Sequence, residues 1–158
     1  SSDLKKSIQR QLSKNKLMGV LGVAFAKKMG WAFDGVRFPI KLTTKMWAMA
    51  NNKEFVQKLL KDKVGSGGKV YLKFLRTLFE ASPAIEPERF STIPLLFLQP
   101  EEDHIIPWWV SEPFYNRLNC PKTQVVLKGC GHIPMEEPGA TQMESSALNF
   151  LNELTSTV

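Results

Sequence analysis

The fold is decided by the stretch Pro94-Leu-Leu-Phe-Leu-Gln-Pro100-Glu-Glu-Asp103-His-Ile-Ile-Pro107, a short apolar run that ends in an acidic loop. Such a run is typical of a strand that is buried on both faces of a sheet. The segment from Pro107 to Leu118 then suits a helix with a proline near its first turn. A second apolar run, Thr123 to Leu127, follows it. These three consecutive segments therefore predict a strand, a helix and a second strand.

The end of the chain predicts a helix after the second strand. Its apolar side chains share one helical face, and they are Ala140, Met143, Ala147, Phe150, Leu151 and Leu154. A strand-helix-strand-helix order implies an α/β fold whose parallel strands are joined by a right-handed crossover. Two parallel strands are too few for a whole sheet, since such sheets usually have more strands. We therefore expect one sheet edge to take a partner, which is the helical part, a second chain or strands of a longer chain.

Two residues with chemical potential follow the two predicted strands. Asp103 follows the first strand, and His132 follows the second in Lys128-Gly-Cys-Gly-His132. Ligands and catalytic groups gather at the carboxyl ends of parallel strands. A carboxylate that is hydrogen-bonded to one imidazole nitrogen leaves the other nitrogen free to take a proton from a nucleophile. Asp103 and His132 are therefore the candidate acid and base, and Gly129 and Gly131 leave room around the histidine.

These two loops resemble those of the α/β-hydrolase family. There the acid follows a late strand in a Gly-x-x-Asp-x-x-x-Pro pattern, and the histidine follows the last strand in a Gly-His pattern with Glu and Pro soon after. The corresponding segments are Pro100-Glu-Glu-Asp103-His-Ile-Ile-Pro107 and Gly131-His132-Ile-Pro-Met-Glu-Glu137-Pro138, and the resemblance covers residues 92–154. Pro100 stands where the family usually has glycine. The resemblance implies that Asp103 and His132 belong to a catalytic triad.

The nucleophile of that triad is not found in the sequence. In the family it precedes the acid and lies in a Gly-x-Ser-x-Gly elbow between a strand and a helix. The nearest candidate is Ser66, but Val64 occupies the position of the first glycine and no strand is predicted before it. We interpret Ser66 as part of a turn. We expect the chain to be the C-terminal part of a larger hydrolase, whose nucleophile and oxyanion hole lie before Ser1.

The pattern of residues 1–90 predicts helices only. The resemblance implies that these residues form a helical cap, or lid, and that residues 91–158 form the C-terminal part of the α/β-hydrolase core. Thr43/Thr44 and Asn51/Asn52 are plausible N-caps for helices that run through Met46-Trp47 and through Phe55. Two longer amphipathic stripes also repeat at helical spacing. They are Leu17, Val20, Leu21, Ala24 and Phe25, and Tyr71, Phe74, Leu75, Leu78 and Phe79.

Charge differs between these two parts. Residues 1–90 hold 18 Lys and Arg against 7 Asp and Glu, whereas residues 91–158 hold 3 against 8, and the whole chain has a net charge of +6. The basic part also contains Trp31, Phe33, Phe38 and Trp47. This combination leaves open a non-catalytic interaction module whose cap binds anionic lipid or an acidic partner. The other interpretation is a solvated basic face over a buried stripe. Nucleic acid is not a predicted partner, because no recognised binding motif accompanies the charge.

Composition sets further limits. A chain with 43% hydrophobic and 23% charged residues is ordinary for a folded protein, and no apolar run reaches the roughly 20 residues of a membrane span. Cys120 and Cys130 bracket a predicted strand and lie too far apart to form a disulfide, which agrees with a cytoplasmic location. His104 and Cys130 beside the candidate pair are too few ligands for zinc. We predict neither a metal nor a cofactor.

The resemblance implies a serine-type esterase or lipase-like hydrolase that acts on a small apolar ester. His132 would act as general base and then general acid, and Asp103 would orient it. We expect the chain alone to be inactive or nearly so, because the pair has no hydroxyl to activate. Relatives with an Asp or Cys nucleophile perform dehalogenation, epoxide opening or lactone cleavage, and the residues present do not separate these chemistries. The unpaired sheet edge predicts self-association.

Overall fold

The computed structural model describes residue 28, residues 30–64 and residues 68–156. It divides the chain into two compact units. Unit 1 comprises Ser1–Trp47 and Lys53–Pro83, and unit 2 comprises Ala48–Asn52 and Ala84–Val158. The assignment of residues 1–90 to a cap and 91–158 to a core stays a prediction. The predicted helix over residues 17–25 and the turn at Ser66 lie outside the described residues.

Unit 1 contains a small antiparallel sheet, so the expectation of helices only is wrong. Strand β1 (Arg37–Pro39) pairs with β2 (Lys69–Tyr71), and Phe38 lies opposite Val70. Strands of three residues are too short to show the alternation of apolar and polar side chains by which a strand is recognised. Their pairing also joins segments about thirty residues apart. Tyr71, assigned from the sequence to a helical stripe, is the last residue of β2.

Three short helices complete the described part of unit 1. Helix α1 is Ile40–Thr43, α2 is Lys53–Lys61 and α3 is Leu72–Glu80, and a 3-10 turn, Gly30–Phe33, contacts α3. Helix α2 begins directly after Asn52, as predicted. The helix expected through Met46 and Trp47 is instead a 3-10 turn, Met46–Ala48. The preceding Thr44 closes α1, since both its N–H and its Oγ1 donate to the carbonyl oxygen of Ile40.

Unit 2 has the strand-helix-strand-helix order that the sequence predicts. Strand β3 (Leu95–Pro100) leads into helix α4 (Trp108–Arg117), and β4 (Lys122–Leu127) leads into helix α5 (Gly139–Ser156). The strands are parallel, with Leu95 opposite Lys122 and Pro100 opposite Leu127. Helix α5 packs on both strands. The equal length and in-register pairing of the strands bring the loops that follow Pro100 and Leu127 to the same sheet edge.

The crossover between the strands is held by aromatic packing and by one lysine. Phe97, Trp108 and Tyr115 contact one another edge to face, with ring centroids 5.5–5.7 Å apart. The Nζ of Lys122 donates to the carbonyl oxygens of Tyr115 and Leu118, both at 2.7 Å. A cation at these carbonyls complements the negative end of the helix dipole. The first residue of β4 therefore stabilises the C-terminal end of α4.

The most buried residues of unit 2 lie just before β4, at its last residue and just after it. Leu127 and Cys130 are fully buried, and Leu118 and Cys120 are nearly so. Both cysteines are free thiols. None of the helices in the described ranges combines the length and apolar character needed to cross a membrane.

Candidate functional site

Asp103 and His132 meet at the edge of the sheet where β3 and β4 end. The Nδ1 of His132 lies 2.9 Å from the Oδ2 of Asp103. The Asp103 side chain is 5% exposed and that of His132 is 31% exposed. The structure thus brings together the two residues that the sequence singles out, with a buried carboxylate and an imidazole that solvent still reaches.

The acid loop holds Asp103 through its second carboxylate oxygen. Oδ1 accepts hydrogen bonds from the backbone N–H groups of Ile105 (2.9 Å) and Ile106 (2.8 Å), which closes a tight turn after the acid. The buried Gln99 amide donates to the carbonyl oxygens of Pro100 and Ile106, so it ties the start of the loop to its end. Pro100, at the position where the family usually has glycine, ends β3, and the acid still reaches the histidine.

Charge and hydrogen bonding shift the pKa values of this pair in opposite directions. Burial acts to raise the pKa of Asp103, but its hydrogen bonds with His132 and with the two backbone N–H groups outweigh burial and lower it. The hydrogen bond to Asp103 raises the pKa of His132 despite the partial burial of the ring. The pair is therefore arranged to stabilise an imidazolium, which is the state a general base reaches after taking a proton.

Glycines shape the histidine loop for different reasons. Gly129 has a φ of 66°, a left-handed conformation that costs other residues free energy. Gly131 is buried, and a Cβ on it would lie 2.9 Å from the Cα of Ala50. Gly131 therefore leaves room for the backbone of residues 50–51, whereas the sequence suggested that it leaves room for the histidine. At the start of α5, a Cβ on Gly139 would lie 2.2 Å from the Sγ of Cys130.

Two glutamates that sequence reasoning left without a role support the histidine loop. Glu101 accepts hydrogen bonds from the Nζ of Lys128 at 2.7 Å and the N–H of Gly129 at 3.1 Å. Glu136 accepts hydrogen bonds from backbone N–H groups of Gly131 and of the segment 48–52. The available signal was the Glu that follows the Gly-His motif in the family pattern. Nothing in the sequence indicated which groups it would bind.

A cavity of about 380 Å³ opens beside the pair. Its walls are mostly apolar, and they include Phe97, Leu98, Ile106, Leu127, Pro134 and Met143 together with Asp103 and His132. Asp103 is the only carboxylate among the residues that line this cavity in the described part of the chain, and it is already bound to His132. The cavity is suited to a small apolar group next to an imidazole.

The free side of His132 determines what the pair can do. Within residues 28, 30–64 and 68–156, Nε2 of His132 has no hydrogen-bond partner. With Nδ1 bound to the carboxylate, Nε2 is the nitrogen that can accept a proton from a reacting hydroxyl or water. The same described residues contain no cluster of three or more His, Cys, Asp or Glu side chains placed to hold a metal ion.

Comparison with known proteins gives one family match. The family model described as serine aminopeptidase, S33, matches residues 9–139, which include the acid loop, the histidine loop and both strands of unit 2. A search of curated proteins found no match. The family match covers most of the chain and confirms the resemblance to α/β-hydrolases. The chain belongs to the serine aminopeptidase S33 family of hydrolases, within the α/β-hydrolase superfamily.

Proposed function

We propose that this chain supplies the acid and the base of a serine-type hydrolase that cleaves a small, mostly apolar ester. The observation that carries the proposal is the 2.9 Å contact between His132 Nδ1 and Asp103 Oδ2, at a histidine that lines a mostly apolar cavity. The family's name includes aminopeptidases, which must recognise a cationic amino group. A second carboxylate that could bind this amino group is absent from the described residues that line the cavity. This favours an ester over a peptide with a free amino group as the substrate.

The mechanism assigns one role to each member of the pair. His132 takes the proton of a serine hydroxyl through Nε2 as the hydroxyl attacks the ester carbonyl carbon, and an acyl-enzyme forms as the alcohol leaves with that proton. Water then attacks the acyl group while His132 again accepts and returns a proton. Asp103 fixes the tautomer and stabilises the imidazolium. The serine belongs to a Gly-x-Ser-x-Gly elbow, which residues 1–158 do not contain.

A covalent probe tests this proposal directly. The 158-residue chain and the product of its complete reading frame are each treated with a fluorophosphonate, which labels activated serines. We expect labelling of the complete product, loss of it on His132→Gln, and none on the 158-residue chain. His104→Gln is the matched control, since it changes the other histidine of the chain. Labelling that survives His132→Gln contradicts the proposal, as does His132-dependent ester hydrolysis by the 158-residue chain at enzyme-like rates.

A second function is favoured by the surface of unit 1. Trp31 is 76% exposed and Phe74 is 52% exposed, in a part of the sequence with a large excess of Lys and Arg. Exposed aromatic rings among basic residues suit adsorption to anionic lipid. We expect sedimentation with phosphatidylserine vesicles at low salt, weakened by Trp31→Ala, and none with phosphatidylcholine vesicles. Binding that is equal on both vesicles, or unaffected by salt, contradicts this function.

Self-association and location complete the proposal. Strands β3 and β4 are the only members of their sheet in the described residues, so each has an edge on which a strand of a second copy can pair. Light scattering that shows a strict monomer at high protein concentration counts against this. The two free, buried thiols agree with a reducing cytoplasm, and microscopy of the tagged complete protein tests that location.

A further inference from the structure

The segment Ala48–Asn52, here called the strap, packs against the histidine loop within unit 2. Ala48 is 4% exposed and Ala50 is 5% exposed. The N–H of Ile133 donates to the carbonyl oxygen of Met49 at 2.7 Å. The backbone of the strap can come this close because Gly131 has no side chain. The strap is therefore a built part of the site, although it lies eighty residues before the histidine in sequence.

Glu136 binds the strap and the histidine loop at once. Its Oε1 accepts hydrogen bonds from the N–H groups of Asn51 (2.7 Å) and Asn52 (3.0 Å), and its Oε2 accepts one from the N–H of Gly131 (3.2 Å). Hydrogen bonds to a carboxylate are stronger than those between neutral groups. One side chain thus satisfies three backbone donors from two separate segments.

Asn51 adds a second link of a different kind. Its Nδ2 donates to the carbonyl oxygen of Gly129 at 3.1 Å and to the Oε2 of Glu102 at 2.8 Å. The first contact reaches the histidine loop and the second reaches the acid loop, one residue before Asp103. The strap is consequently hydrogen-bonded to both loops that carry the candidate pair.

These contacts leave the backbone of His132 fixed on both sides. The residue before it, Gly131, is bound through its N–H to Glu136, and the residue after it, Ile133, is bound through its N–H to the strap. We propose that Glu136 is a positioning residue, which clamps the strap onto the histidine loop and so holds the imidazole of His132 at the carboxylate of Asp103. This inference rests on the proposed function only for the claim that the placement of His132 serves catalysis. The clamp itself is a property of the folded chain.

The test measures the contact between His132 and Asp103 without any turnover. The chain has two histidines, so a titration of their ring Cε1–H signals by NMR resolves both. Glu136→Gln replaces one acceptor oxygen by an NH2 group, which cannot accept a hydrogen bond and faces a backbone N–H of the strap or of Gly131 in either orientation of the amide. We expect the pKa of His132 to fall toward the ordinary histidine value of about 6.5. Glu137→Gln is the matched control, because it removes the same charge one residue later. Among the described residues, the Glu137 carboxylate accepts a single hydrogen bond, from the N–H of Thr141 at 3.3 Å.

A second variant removes the effect of charge. Asn51→Ala removes the hydrogen bonds that the Asn51 side chain donates to Gly129 and Glu102, and it leaves the net charge unchanged. We expect it to lower the pKa of His132 as well. Urea unfolding of each variant shows whether it is folded, and Asn51→Ala keeps the test available where Glu136→Gln does not fold. A merely structural role of Glu136 would lower stability and leave the titration of the folded protein unchanged.

The outcomes separate this inference from the proposed function. Equal pKa values of His132 in the wild-type protein and in folded Glu136→Gln or Asn51→Ala overturn the clamp, whatever the labelling experiment gives. An equal fall in Glu136→Gln and Glu137→Gln, with none in Asn51→Ala, shows a charge effect alone and also overturns it. A selective fall together with labelling that ignores His132 supports the clamp and contradicts the serine-hydrolase mechanism.

Discussion

Replacing Asp103 separates its two roles, because each oxygen of its carboxylate has different partners. Oδ1 accepts the backbone N–H groups of Ile105 and Ile106, and Oδ2 binds His132. Asp103→Asn keeps an acceptor for the loop and presents an amide N–H to the imidazole. Asp103→Ala removes both. A comparison of the two variants therefore separates the contribution of the loop hydrogen bonds to stability from the contribution of the contact between Asp103 and His132.

The structure gives the expected magnitudes. Asp103→Ala leaves the backbone N–H groups of Ile105 and Ile106 without their acceptor. Each unpaired donor near a buried site costs about 1–3 kcal/mol of stability. Together with the lost contact to His132, we expect a total loss of about 3–7 kcal/mol in the free energy of unfolding. Asp103→Asn loses only the charged contact to an imidazole that is 31% exposed, and we expect about 1 kcal/mol. In Asp103→Asn the amide N–H also forces the proton of His132 onto Nε2, so this variant should lose the proposed base function.

The pH dependence of this loss has a definite sign. The pKa of His132 is raised in the folded protein, so its contribution to stability is fully present below the ordinary value of about 6.5 and disappears as the pH rises through the folded pKa. The pKa of Asp103 is lowered, so its contribution is present above about 3.9 and disappears only as the pH falls through the folded pKa. The difference between the wild-type protein and Asp103→Asn should therefore be larger near pH 5.5 than near pH 9.

Urea unfolding followed by tryptophan fluorescence measures these differences, since the chain has 4 tryptophans. Three proteins at two pH values suffice: wild type, Asp103→Asn and Asp103→Ala. Two results would refute the reasoning. The first is an equal loss in the two variants, which would mean that the loop hydrogen bonds contribute nothing measurable. The second is a wild-type advantage over Asp103→Asn that grows with pH.

Three further predictions concern packing, surface charge and thiol chemistry. Gly139→Ala should lower the unfolding free energy by roughly 1–3 kcal/mol, because the new methyl group meets Cys130. Gly35→Ala is the control: a Cβ there would have no atom within 4 Å, so the change should be less than about 0.5 kcal/mol. Equal losses in the two variants would contradict this prediction. Glu88→Gln should leave the midpoint of urea unfolding nearly unchanged, since its ion pair with Arg117 is half exposed. Burial raises the pKa of the Cys130 thiol, so mass spectrometry should show it unmodified by a thiol reagent until urea unfolds the protein.

The candidate pair could be predicted from the sequence because its signals are local. Asp103 and His132 each follow an apolar run that is too short for a helix, and each is followed by a helical pattern. Parallel pairing of two strands of equal length then places their ends together. No information about distant contacts was needed beyond the order of the elements.

The strap and the small sheet of unit 1 could not be predicted in this way. The pairing of β1 with β2 and the hydrogen bonds from Asn51 to Glu136 join segments about thirty and eighty-five residues apart. Apart from Ala48, which ends a 3-10 turn, the strap is irregular, so it has no hydrophobic period to reveal it. Glu136 occurs in an acidic loop where a solvated carboxylate is the ordinary expectation. Only the fold shows that its oxygens meet three backbone donors.

The surroundings of His132 favour a catalytic over a structural histidine. A histidine that serves packing is best placed deep in the core with both ring nitrogens bound, because each unsatisfied buried nitrogen costs free energy. His132 has the opposite arrangement: its backbone neighbours are bound on both sides, one nitrogen is held by a buried carboxylate, and the ring remains 31% exposed beside a cavity. Precise placement together with access to the second nitrogen is of little use to stability. It is what proton transfer to and from a bound reactant requires.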